Sequence, residues 1–225
     1  MVIGPGEFWA DEDKQPTTND ELAKSLIAPE NFLRAYDRFG SQGIYVSPKA
    51  QAWLGSKADN LPSNYILTGQ APLTRIVPLA GQNIALVYLP YTDKTAPADM
   101  TDEYKAALAA GRAAAQEARL VIAVSPWGSK LERAFSAQAE GIFHIILGGG
   151  PDYGFASSTV GDMEGLLWTR PEDQGRSVNV IEVLAWPAPA AHRWEYGVNY
   201  EAYIKLLGHS IPPDPVIADI FPGRK

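Results

Sequence analysis

RLVIAVSPWGSKLERAFSAQAEGIFHIILGGGPD, residues 119–152, is the stretch whose reading decides the fold class. Residues 120–124 are a short apolar run of strand length, and 143–147 are another. Between them, residues 130–139 place Leu131, Ala134, Phe135 and Gln138 at helical spacing. Strand, loop, helix and strand in this order make a βαβ unit, whose two strands run parallel. Its loops Ser125-Pro126-Trp127-Gly128 and Gly148-Gly149-Gly150-Pro151-Asp152 then share the carboxyl edge of a sheet, where α/β proteins usually place their chemistry.

The rest of the chain extends this unit in both directions. Upstream, residues 101–118 form an alanine-rich helix, and residues 74–79 and 84–89 flank a Gly-Gln-Asn turn as a hairpin. Thr18-Asn19-Asp20-Glu21 is a capping box for a helix to about residue 27. Pro29 starts a second helix carrying Phe32, Leu33, Tyr36 and Phe39 on one face, and Gly40 ends it. Residues 44–46 and 65–67 read as short strands, and 48–64 as irregular. Downstream, 165–168 and 177–184 read as strands, 200–207 as a last helix, and 211–225 as an extended proline-rich tail. Parallel strands with helical crossovers followed by antiparallel strands predict a mixed α/β (α+β) protein. Two packed sheets flanked by helices would form one domain over 1–210.

Composition narrows the function classes. The net charge is −7 and the 19 Lys and Arg are dispersed, which argues against nucleic-acid binding. The chain has no cysteine, so disulfides, thiol nucleophiles and cysteine-based metal sites do not arise. The apolar runs are strand-sized, so no membrane span is expected. Residues 1–14 lack the basic start and apolar core of a signal peptide.

The motifs admit ordinary readings beside chemical ones. The 125–128 loop reads more simply as a plain βα turn than as a site loop. The glycine run is neither a Walker loop nor a dinucleotide fingerprint, although successive backbone N–H groups can cradle an anion. His144, His192 and His209 show no paired metal-ligand spacing, and His144 reads as a packed residue in a strand. The acidic cluster Glu7, Asp11, Glu12 and Asp13 offers oxygens to a hard cation, but reads more simply as a solvated loop. No GxSxG elbow is present.

In order and spacing, several pieces resemble the catalytic domain of the 5′-nucleotidase branch of the calcineurin-like metallophosphoesterases. Val2-Ile3-Gly4-Pro5-Gly6-Glu7-Phe8 is similar to the family's strand and Gly-Asn-His-Glu-Phe motif. Gly43-Ile44-Tyr45-Val46-Ser47 resembles the strand that follows, and 73–89 the hairpin into a central strand. Residues 118–128 resemble the strand and Ser-His-x-Gly loop, and 141–152 the segment ending Gly-Gly-His-x-His. The 175–184 strand and Pro213-Asp214-Pro215 also fit. The resemblance implies a four-layer αββα sandwich and, weakly, an extracytoplasmic or periplasmic location. It also implies that the family's opening Asp-x-His and Gly-Asp motifs would lie before residue 1.

The departures bear on function. Where the resemblance implies metal-ligating Asn and His side chains, this chain has Pro5, Gly6, Pro126, Gly150 and Asp152. Proline and glycine offer no side-chain ligand, and one carboxylate does not hold a metal pair. The expectation is a non-catalytic relative, a pseudoenzyme with no metal, cofactor or catalytic residue. It would bind a protein partner, a second copy of itself, or a small molecule in a vestigial cleft. That cleft would be lined by Pro5, Gly6, Glu7, Pro126, Trp127, Gly150 and Asp152, with Trp9, Trp53, Tyr153, Phe155 and Trp194 as candidate aromatic surface. The alternative is a metal-dependent, 5′-nucleotidase-like phosphoesterase with atypical ligands drawn from Glu7, Asp11, Asp152 and His192.

Overall fold

The structure is a computed structural model that describes residues 3–4, 29–67, 69–150, 154–160, 163–171, 177–188, 192–207, 212 and 214–220. The capping box at 18–21 and its helix lie outside the described residues. The chain divides into two compact units, residues 1–67 with 208–225, and residues 68–207.

The first unit holds a three-stranded parallel sheet in the order β1 (Ile3–Gly4), β2 (Gly43–Val46), β3 (Tyr65–Leu67). Every residue of β2 is buried, which is why its sequence is continuously apolar rather than alternating. Helix α1 (Pro29–Arg38) turns Leu33, Ala35 and Tyr36 inward. Residues 48–64, expected to be irregular, instead form α2 (Pro48–Leu54) and a 3₁₀ turn (Gly55–Asn60). The start signal is local. The Ser47 Oγ accepts from the Ala50 N–H at 3.1 Å, Pro48 opens the first turn, and Gly55 closes the helix at φ 56°. Ile44, Val46, Ala50, Leu54 and Tyr65 form the core, with Trp53 packed against it. In the expected extended tail, Asp214 caps a short helix, α3 (Pro215–Ile220), which lies against α1.

The second unit is built on a six-stranded sheet. Its strands are β4 (Leu73–Leu79), β5 (Gln82–Tyr88), β6 (Leu120–Ser125), β7 (Ile145–Gly148), β8 (Phe155–Val160) and β9 (Met163–Arg170). They lie in the order β4-β5-β6-β7-β9-β8; the four central strands are parallel and both edge strands antiparallel. The β4–β5 hairpin turns through Ala80 and Gly81, both at positive φ, as a two-residue hairpin requires. Two crossover helices, αA (Thr101–Ala114) between β5 and β6 and αB (Ser129–Ala139) between β6 and β7, bury Tyr104, Leu131 and Phe135 against the sheet with Trp127, Phe143 and Trp168. The βαβ unit read at 119–152 is therefore the centre of this sheet.

Residues 200–207, expected as a helix, form a strand instead. Here β11 (Tyr200–Leu206) pairs antiparallel with β10 (Ser177–Val183) in full register from Ser177↔Leu206 to Val183↔Tyr200. The heptapeptide YEAYIKL fits either period: Tyr200, Ala202 and Ile204 alternate with exposed residues, but Tyr200 and Ile204 are also four apart. Pairing along all of β10 decides the outcome. The hairpin is tied to the larger sheet by Asn179, whose Nδ2 donates to the carbonyls of Phe155 and Arg170 at 2.7 Å each. The molecule is thus mixed α/β, with several sheets flanked by helices. Among the described residues no helix is long and apolar enough to cross a membrane.

Candidate functional site

Because β6, β7 and β9 are parallel, their carboxyl ends at Ser125, Gly148 and Arg170 meet at one edge. The loops that follow the first two carry Pro126, Trp127 and Gly150, three of the residues expected to line a cleft. The structure does bring them together, with the backbone of Gly150 against the carbonyl of Pro126. The space between them is not a cleft lined by Trp127. Its ring is 2% exposed, its indole N–H donates to the Pro90 carbonyl at 2.8 Å, and it packs edge-on against Phe135 at 5.3 Å. Pro5, Gly6, Glu7 and Asp152, with Asp11, Trp9 and Tyr153, lie outside the described residues.

The centre of this edge is a buried ion pair that the sequence reading did not anticipate. Arg170, at the end of β9, is 1% exposed, and Glu132, in the first turn of αB, is 0% exposed. One guanidinium nitrogen of Arg170 bonds the Glu132 carboxylate and donates to the Trp127 carbonyl at 3.1 Å. The other donates to the carbonyls of Gly149, at 2.6 Å, and Gly150, at 3.1 Å. The Trp168 indole N–H donates to the same Glu132 oxygen at 2.8 Å. Burial pushes the Glu132 carboxyl up to about 7, against the opposing pull of Arg170, Trp168 and the Ser125 hydroxyl.

This arrangement explains the glycine run. A Cβ on Gly148 would overlap the Glu132 carboxylate and the Arg170 stem. Gly150 sits at φ 71°, and a Cβ there would overlap the Pro126 carbonyl. Gly149 donates its N–H to the Ser125 carbonyl at 2.7 Å. The run therefore presents two carbonyls to the Arg170 guanidinium and interlocks the two loops. One signal for the pair was present in the sequence. Leu131, Glu132, Phe135, Ser136 and Ala139 are the buried face of αB, so a carboxylate stood on an apolar stripe and required a partner.

The opposite, amino edge of the sheet holds a second cluster. His144, one residue before β7, accepts the Val121 N–H on Nδ1 at 3.0 Å and donates its own N–H to the Val121 carbonyl at 2.9 Å. His192 lies edge-on to it at 5.8 Å between ring centroids and against Trp194 at 4.4 Å. The Trp194 indole N–H donates to the His144 carbonyl at 2.9 Å. Burial lowers His144 to about 4, helped by the positive charges of His192 and Arg119, and burial lowers His192 as well. His192 is therefore at the amino edge, not beside Pro126 and Gly150 as the phosphoesterase alternative would need. Phe155 meets Trp168 edge-on at 4.7 Å and Trp194 is 5% exposed, so both are packing residues rather than surface. Among the described residues no three His, Asp or Glu side chains are placed to hold a metal ion.

No protein-family model and no curated protein sequence matches the chain.

Proposed function

We propose that the chain is a non-catalytic protein of metallophosphoesterase-like fold that acts as a binding or accessory subunit. The observation that carries the reading is the Arg170 lock. At the edge where a phosphoesterase of this topology would place its ligands, a buried guanidinium holds Glu132 and the carbonyls of Trp127, Gly149 and Gly150. Such a lock fixes the two loops in one conformation, and Pro126 and Gly150 contribute no side-chain ligands there. Support for a binding role comes from exposed apolar residues around the second hairpin. Leu184 is joined to the 196–199 turn through its N–H to the Asn199 carbonyl at 2.9 Å, and Leu184, Tyr196 and Val198 all face solvent. A four-layer αββα sandwich and an extracytoplasmic location belong to the same reading.

The test is metal content and hydrolysis together. Protein purified from medium supplemented with manganese, zinc and iron is expected to hold no stoichiometric transition metal. It is also expected to leave p-nitrophenyl phosphate uncleaved when Mn²⁺ is added. One metal or more per chain with phosphomonoester turnover would overturn the reading in favour of a hydrolase with rearranged ligands.

A further inference from the structure

The amino edge of the six-stranded sheet carries a titratable pair that the proposed function does not use. The segment 192–196 crosses this edge. It is held by the Trp194 N–H on the Glu164 carbonyl at 2.7 Å, by the Trp194 indole on the His144 carbonyl, and by the His192 ring between His144 and Trp194. Both imidazoles already use one nitrogen as an acceptor. His144 Nδ1 takes the Val121 N–H, and His192 Nδ1 takes the Ala188 N–H at 3.4 Å. Each ring therefore carries its single proton on Nε2, and a second proton would land on a nitrogen that faces a backbone N–H.

We propose that His144 and His192 form an acid-sensitive latch that holds segment 192–196 on the sheet edge when both rings are neutral and releases it when they are protonated. Protonation replaces an acceptor with a donor at Val121 or Ala188, and it puts two cations on rings in edge contact. The charged groups around the pair are Arg119, Glu140, Glu164 and Arg193. Arg119, just before β6, adds positive charge. The Glu140 carboxylate accepts the Gly165 N–H at 3.3 Å, and Glu164 is paired with Arg193 at 2.6 Å. The strand hydrogen bonds of His144 belong to its backbone, through its N–H to Val121 and its carbonyl to Leu167 at 3.0 Å, so the β6–β7–β9 ladder can persist while the segment leaves.

Hydrogen exchange of the full chain, corrected for the intrinsic rate at each pH, tests the latch. An opening coupled to one proton gains about tenfold per pH unit. Protection at Trp194, and at the Val121 N–H bonded to the His144 ring, is expected to fall in this way between pH 6.5 and pH 5, while β5 and residues 122–125 of β6 keep theirs. Unchanged protection at Trp194, or loss in step with β5 and residues 122–125, would overturn the proposal. The double variant His144→Gln, His192→Gln is expected to remove the pH dependence at Trp194. If that variant does not fold, His192→Gln alone, at the more exposed ring, should weaken the dependence, and an unaltered slope in it would also overturn the latch.

Discussion

Arg170 and Glu132 are each almost completely out of water, and further polar groups support the pair: the Trp168 indole donates to the same carboxylate oxygen, and the guanidinium donates to the Trp127 and Gly149 carbonyls. A buried ion pair is a poor source of net stability, since desolvation consumes most of the Coulomb gain, but removing one partner strands the other charge. Glu132→Ala is therefore expected to destabilise the protein by about 3–5 kcal/mol, read as a shift in urea midpoint. If the loss stays within about 0.5 kcal/mol, as for an ordinary surface residue, the ion pair is not the lock described above. Gly148→Ala tests the same cluster from the backbone side. Its added methyl would overlap Glu132 and the Arg170 stem, and overpacking of this kind costs about 1–3 kcal/mol. A near-neutral result there would show that the pair moves aside freely.

Single elements show where local sequence is enough and where it is not. Helix α2 is specified by its own ends: Ser47 caps it, Pro48 starts it and Gly55 stops it. Ser47→Ala should cost about 1 kcal/mol, measurable by thermal or urea unfolding. Strand β11 is the opposite case, because its sequence fits a helix until β10 is beside it. The segment 192–196 adds a pH dependence to the amino edge. His144 is held near 4 by burial, whereas an unfolded chain titrates near 6.5. Between these values the unfolded state binds more protons than the native state. The contribution to stability is therefore whole above about pH 6.5 and is lost progressively as pH falls toward 4. Urea midpoints at pH 7 and pH 5 should differ in that direction, and His144→Gln should flatten the difference.

At the scale of the whole molecule the chain forms two units, each with its own core, and the carboxyl edge of the larger sheet is tied by the Arg170 side chain. Incubation with EDTA is accordingly expected to leave the melting temperature unchanged, and a fall of several degrees would point to a structural metal. The sequence by itself determined the central βαβ unit, the β4–β5 hairpin and the alanine-rich crossover helix, because apolar period, turn residues and propensity are properties of neighbouring positions. It also placed Pro126 and Gly150 on facing loops, since parallel strands put their carboxyl ends together. Only the tertiary structure decided that Trp127 is core, that 200–206 is a strand, and that the glycine run serves Arg170. These outcomes depend on contacts between residues far apart in the chain, such as Arg170 with Gly150, Trp127 with Pro90 and Ser177 with Leu206. Such contacts leave no periodic trace in the chain; the one hint, a carboxylate on the apolar face of αB, became legible only when β9 brought the cation to it.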